Sequence, residues 1–147
     1  MIPLENQVCT LEQAKILKDE FGLDLDSYFA WYLPKFKQES KWHICSVENA
    51  RYYISKYLIS KYYPAPSCAE LGVLLPGMIP VEGDSVPVIL TLYKCSLNGK
   101  FTFEYYEDAK EAECLASSKE GYEAQAKADL LIDGLRKGYI KPEDLKL

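Results

Sequence analysis

VPVILTLYKCSLNGKFTFEYYE, residues 86–107, decides the fold. Two strand-like runs flank Asn98-Gly99. That dipeptide suits a type I′ turn, which needs positive φ at both central positions. With Leu97 and Lys100 flanking a two-residue turn, Cys95 stands opposite Thr102 and Tyr93 opposite Glu104. Those side chains share one face. Val88, Leu90, Leu92, Phe101, Phe103 and Tyr105 share the other, which is far more apolar and is expected to meet the core. Lys94 and Ser96 fall on that apolar face near the turn, where the hairpin is expected to run past the core. Pro87 has no N–H for a ladder and suits a strand start or an edge.

Outside the hairpin, three helices are marked by capping boxes. Thr10-Leu11-Glu12-Gln13 opens the first, with Leu11, Ala14, Leu17 and Phe21 on one stripe and Gly22 as its C′ glycine. Ser67-Cys68-Ala69-Glu70 opens a short second helix, preceded by Pro64 and Pro66 and stopped by Pro76-Gly77. Ser117-Ser118-Lys119-Glu120 is read as the start of the third. Its stripe is Ala124, Ala128, Leu131 and Leu135, and Gly138 ends it. Pro142-Glu143-Asp144 suggests a terminal turn.

Ser27 to Leu33 alternates, with Phe29, Trp31 and Leu33 on one face, and reads as a strand ended by Pro34. Lys41 to Val47 reads as a second strand. Asn49 to Tyr63 is ambiguous: Arg51, Ser55, Lys56 and Ser60 recur at helical spacing, while the Tyr and Ile content favours strand. The balance favours a helix over its first half. Gly77 to Asp84 reads as a loop, and Asp108 to Ala116 as an acidic connector. The expected architecture is α+β: one domain over residues 1–147, with a mostly antiparallel sheet that includes the Asn98-Gly99 hairpin, packed against about three helices.

Composition narrows the function classes. The chain has 147 residues, 48% apolar and 27% charged, ordinary for a globular protein. The net charge of −5 argues against non-specific nucleic-acid binding, which needs a basic footprint. The start, MIPLENQVCT, has neither the basic nor the apolar region of a signal peptide, and no stretch is apolar enough to span a membrane. The expected location is cytoplasmic. Twelve tyrosines and two tryptophans serve either as core and half-buried sheet surface or as a stacking and partner-binding surface.

The five cysteines, at 9, 45, 68, 95 and 114, are odd in number and lack CxxC spacing, so neither a disulfide framework nor a zinc site is expected. Most should behave as small hydrophobes. Cys68 sits at a predicted helix start, a place where reactive thiols occur. His43 is the single histidine. A hydrolytic triad would have to use it, yet Lys41-Trp42-His43-Ile44 has nothing motif-like around it. No phosphate-binding or nucleophile-elbow glycine pattern is present, and Gly77, Gly83 and Gly99 read as turn glycines. Asp24 and Asp26 read as a turn and cap rather than a cation site. No catalytic residue, metal ligand or cofactor is expected. Glu104, Tyr106, Glu107, Asp108 and Glu111 form the candidate interaction surface. They are either part of a solvated acidic connector, which also carries Glu113, or a surface imitating a phosphate backbone. Lys110 and Tyr105-Tyr106 interrupt the run.

Pro64-Ala65-Pro66-Ser67, with Glu70-Leu71 and Leu74-Leu75-Pro76 following, carries a resemblance. The string APSCAELGVLLP resembles an APT-x-x-EL-x-x-x-LP segment of small, functionally unassigned proteins of phages and prophages, notably from gut anaerobes. LEQAKILKDEF (11–21) with YFAWY (28–32), and AQAKADLLIDGLRKG (124–138), fit the same group in the same order. The resemblance implies a mobile-element origin and action inside a bacterial cell. It implies no catalytic residues. The leading expectation is therefore a non-enzymatic accessory protein that binds a host or phage macromolecule, with a protein as the expected partner. A small-ligand-binding module or enzyme with a Tyr-lined pocket is the alternative, and acidic mimicry of nucleic acid is a third.

Overall fold

The computed structural model describes residues 1–35, 41–56, 58–81, 88–107 and 114–145. From the N-terminus come α1 (Leu11–Lys15), a π-helical turn (Ile16–Glu20), β1 (Phe29–Pro34), β2 (His43–Ser46), α2 (Val47–Ser55) and β3 (Ile59–Pro64). Then come α3 (Cys68–Leu74), β4 (Met78–Val81), β5 (Val88–Leu97), β6 (Lys100–Glu107), β7 (Cys114–Ser117) and α4 (Glu123–Arg136). A 3-10 turn at Pro142–Asp144 follows, as the sequence suggested. The fold is α+β. Its strands divide between two antiparallel sheets, one ordered β2-β1-β3 and the other β4-β5-β6-β7.

The hairpin takes the expected register: Tyr93 pairs with Glu104, Cys95 with Thr102 and Leu97 with Lys100. Asn98 and Gly99 adopt φ of 51° and 73°, the left-handed values a type I′ turn requires. Phe103 and Tyr105 are buried, and Leu92 and Phe101 pack against the same core. Lys94 does not simply overhang it. Its Nζ lies 4.5 Å from the Phe101 ring centroid and 2.8 Å from Glu123 Oε1, tying the hairpin to the start of α4. The side chains of Val88, Leu90, Thr91 and Tyr93, and all of Pro87, lie outside the described part.

The helix signals at the two N-terminal capping boxes hold. Thr10 and Gln13 cap each other reciprocally, as do Ser67 and Glu70. The signal at Ser117 does not: α4 begins at Glu123, after Tyr122. The sheet has taken those groups. Ser118 N–H donates to the Phe103 carbonyl, and Phe103 N–H donates to Ser118 Oγ, both at 2.8 Å. Ser117 ends β7, and Gly121 bridges Phe101. Two loop assignments are corrected in the same way. Gly77 to Asp84 contains a strand, Met78–Val81, because its one proline, Pro80, marks an edge rather than a loop. Cys114 to Ala116 belongs to β7, not to a connector. The ambiguous Asn49–Tyr63 stretch holds both structures, helix to Ser55 and strand from Ile59.

The expected α4 stripe of Ala124, Ala128, Leu131 and Leu135 is fully in the core, with Leu17, Leu71, Phe103 and Tyr105. β1 differs from its one-sided reading. Trp31 joins this main core, while Ala30 on the other face is buried with Ala50 and Ile59 beneath α2. Tyr32, Tyr53 and Tyr62 edge that smaller core, so several tyrosines serve as half-buried packing. All five cysteines are free thiols.

Sheet edges are dealt with explicitly. Leu92 N–H donates to the Gly77 carbonyl, which fixes the alternation of the β4–β5 ladder. Pro76, Met78 and Pro80 then hold the positions turned away from β5. Ala65 N–H donates to the Phe29 carbonyl, so Pro64 and Pro66 likewise face away from β1. On the β7 edge, Ser117 N–H donates to Asp133 Oδ2 at 2.9 Å, and Lys137 Nζ donates to the Leu115 carbonyl at 3.0 Å.

Candidate functional site

A groove of 810 Å³ lies between the α3–β4 segment and the chain after α4. Its first wall starts at the capped helix α3. Glu70 accepts from Ser67 N–H at 2.6 Å and from Tyr28 N–H at 2.7 Å, so one carboxylate fixes the helix start and anchors it to β1. Pro76 cannot continue the helix. The buried Tyr105 hydroxyl donates to the Pro76 carbonyl at 2.6 Å and pins the turn into β4. Burial pushes the Tyr105 phenol above its ordinary range, so it stays a neutral donor.

The second wall follows Gly138, which leaves α4 at a φ of 75°. Ile140 then folds back over Gly134. A Cβ at residue 134 would come within 2.7 Å of Ile140 Cδ1, so a larger residue there would push the Ile140 side chain aside. Leu75, Ile79, Ile140 and Leu145 are buried and form the apolar floor. The rim combines exposed apolar and charged groups. Val73 is 72% exposed and Met78 66% exposed, while Lys141 and Asp144 supply one charge of each sign. Chemically the groove can desolvate apolar side chains and orient them with two opposite charges. One tyrosine, Tyr139, lines it, so it is not the tyrosine-lined pocket of the alternative expectation.

A second, polar groove of 440 Å³ lies between α1 and α4 and contains Asp129 and Asp133. Their oxygens have structural work. Asp129 accepts from the buried Gln13 amide at 2.6 Å and from Lys119 N–H at 3.3 Å. Asp133 holds Ser117 N–H and, at 2.8 Å, Lys137 Nζ. Beside it, Arg136 grips Glu20 of the π-helical turn through two hydrogen bonds of 3.0 and 2.8 Å, which lowers the Glu20 pKa. These carboxylates fasten elements together.

The candidate surface residues are not gathered. Glu104 and Tyr106 share one face of β6, with the Tyr106 hydroxyl donating to Glu104 Oε2 at 2.9 Å. That bond raises the Tyr106 pKa. Glu107 alternates to the other face, that of Phe103 and Tyr105. Asp108 and Glu111 lie outside the described residues. His43 stands opposite Tyr32 with ring centroids 5.8 Å apart, and its Nε2 is buried without a hydrogen-bond partner among the described residues. The neighbouring Cys45 thiol turns to the Ser46 carbonyl, 3.2 Å away.

Sequence reasoning missed the groove residues Val73, Met78, Ile79 and Ile140. The available signal was MIPV, an apolar run bounded and interrupted by proline, which fits an edge strand as well as a loop. Compared with known proteins, the chain matches no family model, no curated protein and no solved structure, so the reading of the site rests on its own residues.

Proposed function

We propose that this chain is a non-enzymatic accessory protein of a phage or integrated element that acts by binding a host or phage protein inside the bacterial cell. The observation carrying the reading is the pair Val73 and Met78, large apolar side chains held in water at the rim of an apolar groove. Such exposure is unfavourable in isolation and is relieved by a partner. The stretch with the phage-protein resemblance, Pro64–Pro76, supplies α3 and the groove's first wall. Among the described residues no helix is long and apolar enough to cross a membrane. The split of Glu104 and Glu107 between faces gives no support to phosphate mimicry. A second reading, an apolar small ligand, draws on the groove volume of 810 Å³, which lies in the range of small-molecule sites.

The test is the double substitution Val73→Asp with Met78→Asp. Both positions are exposed, so thermal unfolding should shift by no more than about 0.5 kcal/mol per site. Affinity capture from host lysate should lose its wild-type partner. Equal capture by the folded variant would refute the groove as the binding surface.

A further inference from the structure

Lys127 of α4 carries its amine into the side of α3. Its Nζ lies 3.2 Å from Cys68 Sγ and 3.2 Å from the Cys68 carbonyl oxygen. The lysine side chain is only 15% exposed, and Glu123 Oε1 holds the amine from behind at 3.4 Å. Space for it exists because residue 72 is glycine, where a Cβ would sit 3.2 Å from that same Nζ. The Phe103 ring centroid, 5.6 Å away, closes another side. A nitrogen is thus seated against a sulfur that remains half-buried, not sealed.

We propose that Cys68 and Lys127 form an oxidation-triggered cross-link between α3 and α4, with a hydroperoxide as oxidant. In the first step a sulfur lone pair attacks the distal peroxide oxygen. The S–O bond forms, the O–O bond breaks, and the alcohol or water leaves with the thiol proton. Cys68 is oxidised to a sulfenic acid and the peroxide is reduced. In the second step the Lys127 ammonium releases a proton to water and its lone pair attacks Sγ. The S–N bond forms, the S–O bond breaks, and the oxygen departs as water with a second nitrogen proton. The product is a sulfenamide with one hydrogen left on nitrogen. No second oxidant is consumed.

Cys9 is the competing thiol, since its N–H pairs with the Pro66 carbonyl two residues before Cys68. It is a poor nucleophile. Burial, reinforced by the Glu70 charge, pushes its pKa far above the ordinary thiol range. The amine, by contrast, already sits 3.2 Å from Cys68 Sγ. Once formed, the link fixes α3, and with it the first wall of the groove, to α4.

Peroxide treatment of the full chain, followed by denaturation without reductant and peptide mass spectrometry, tests this. The expected product is a peptide pair joining Cys68 to Lys127, lighter by two hydrogens than its separate parts. Tryptic cleavage after Lys127 should be lost, and dithiothreitol should restore it. Lys127→Arg keeps the charge but removes the amine, so it should give no link and let Cys68 proceed to sulfinic acid at the same peroxide dose. Wild-type Cys68 over-oxidising like the arginine variant, or joining Cys9 instead, would overturn the proposal. If the arginine variant fails to fold, the wild-type peptide map alone decides.

Discussion

Leu131→Asp abolishes cooperative folding. Leu131 is 0% exposed at the centre of α4, within the core formed with Leu17, Leu71 and Phe103. An aspartate there has no partner, so it must be buried as an unpaired charge or neutralised at the expense of its solvation. The lost leucine contacts add a cavity term of about 2–5 kcal/mol. Together these rival the whole stability of a small domain, about 5–15 kcal/mol. Circular dichroism with urea titration should show no native baseline, and size exclusion should show expanded or aggregated protein. Leu131→Met preserves volume and should cost under about 1.5 kcal/mol. A soluble, cooperatively folding aspartate variant would mean that another face of α4 is buried.

The second large effect concerns the hairpin. Phe103 is 3% exposed and Phe103→Ala should cost about 3–5 kcal/mol in denaturant midpoints at constant slope. Thr102→Ala, one residue away on the opposite face, should cost under about 1 kcal/mol. A one-residue slip would exchange the two faces. Similar losses at the two positions would therefore disprove the register, while a contrast of at least about threefold is its signature.

What was legible in the sequence was local. Asn98-Gly99 sets its own turn through backbone sterics, and the register follows without reference to the rest of the chain. The α4 stripe is written at 3.6-residue spacing, and the reciprocal caps at Thr10 and Ser67 need four residues each. What was missed depends on distant partners. β4 is a strand only because β5 lies beside it, and Pro80 within it and Pro76 just before it disguise it. Ser117 to Glu120 has the composition of a helix start, but the Phe103 backbone claims Ser118 first. The groove joins residues 73–80 to residues 138–145, so no spacing along the chain encodes it. Glu104 and Glu107 were legible as charge, but their strand phase sends them to opposite faces.

The prolines at the sheet edges bear on what can pair with this molecule through its backbone. A strand-adding partner docks by main-chain hydrogen bonds, which are largely indifferent to sequence. Along the outward side of Pro76–Pro80, Met78 alone retains an N–H to offer, and the Pro76 carbonyl is already taken by Tyr105. The same lack of donors denies a growing fibril its template. On the proposed reading, recognition at this groove is thus left to side-chain shape, which discriminates among partners as a backbone ladder cannot.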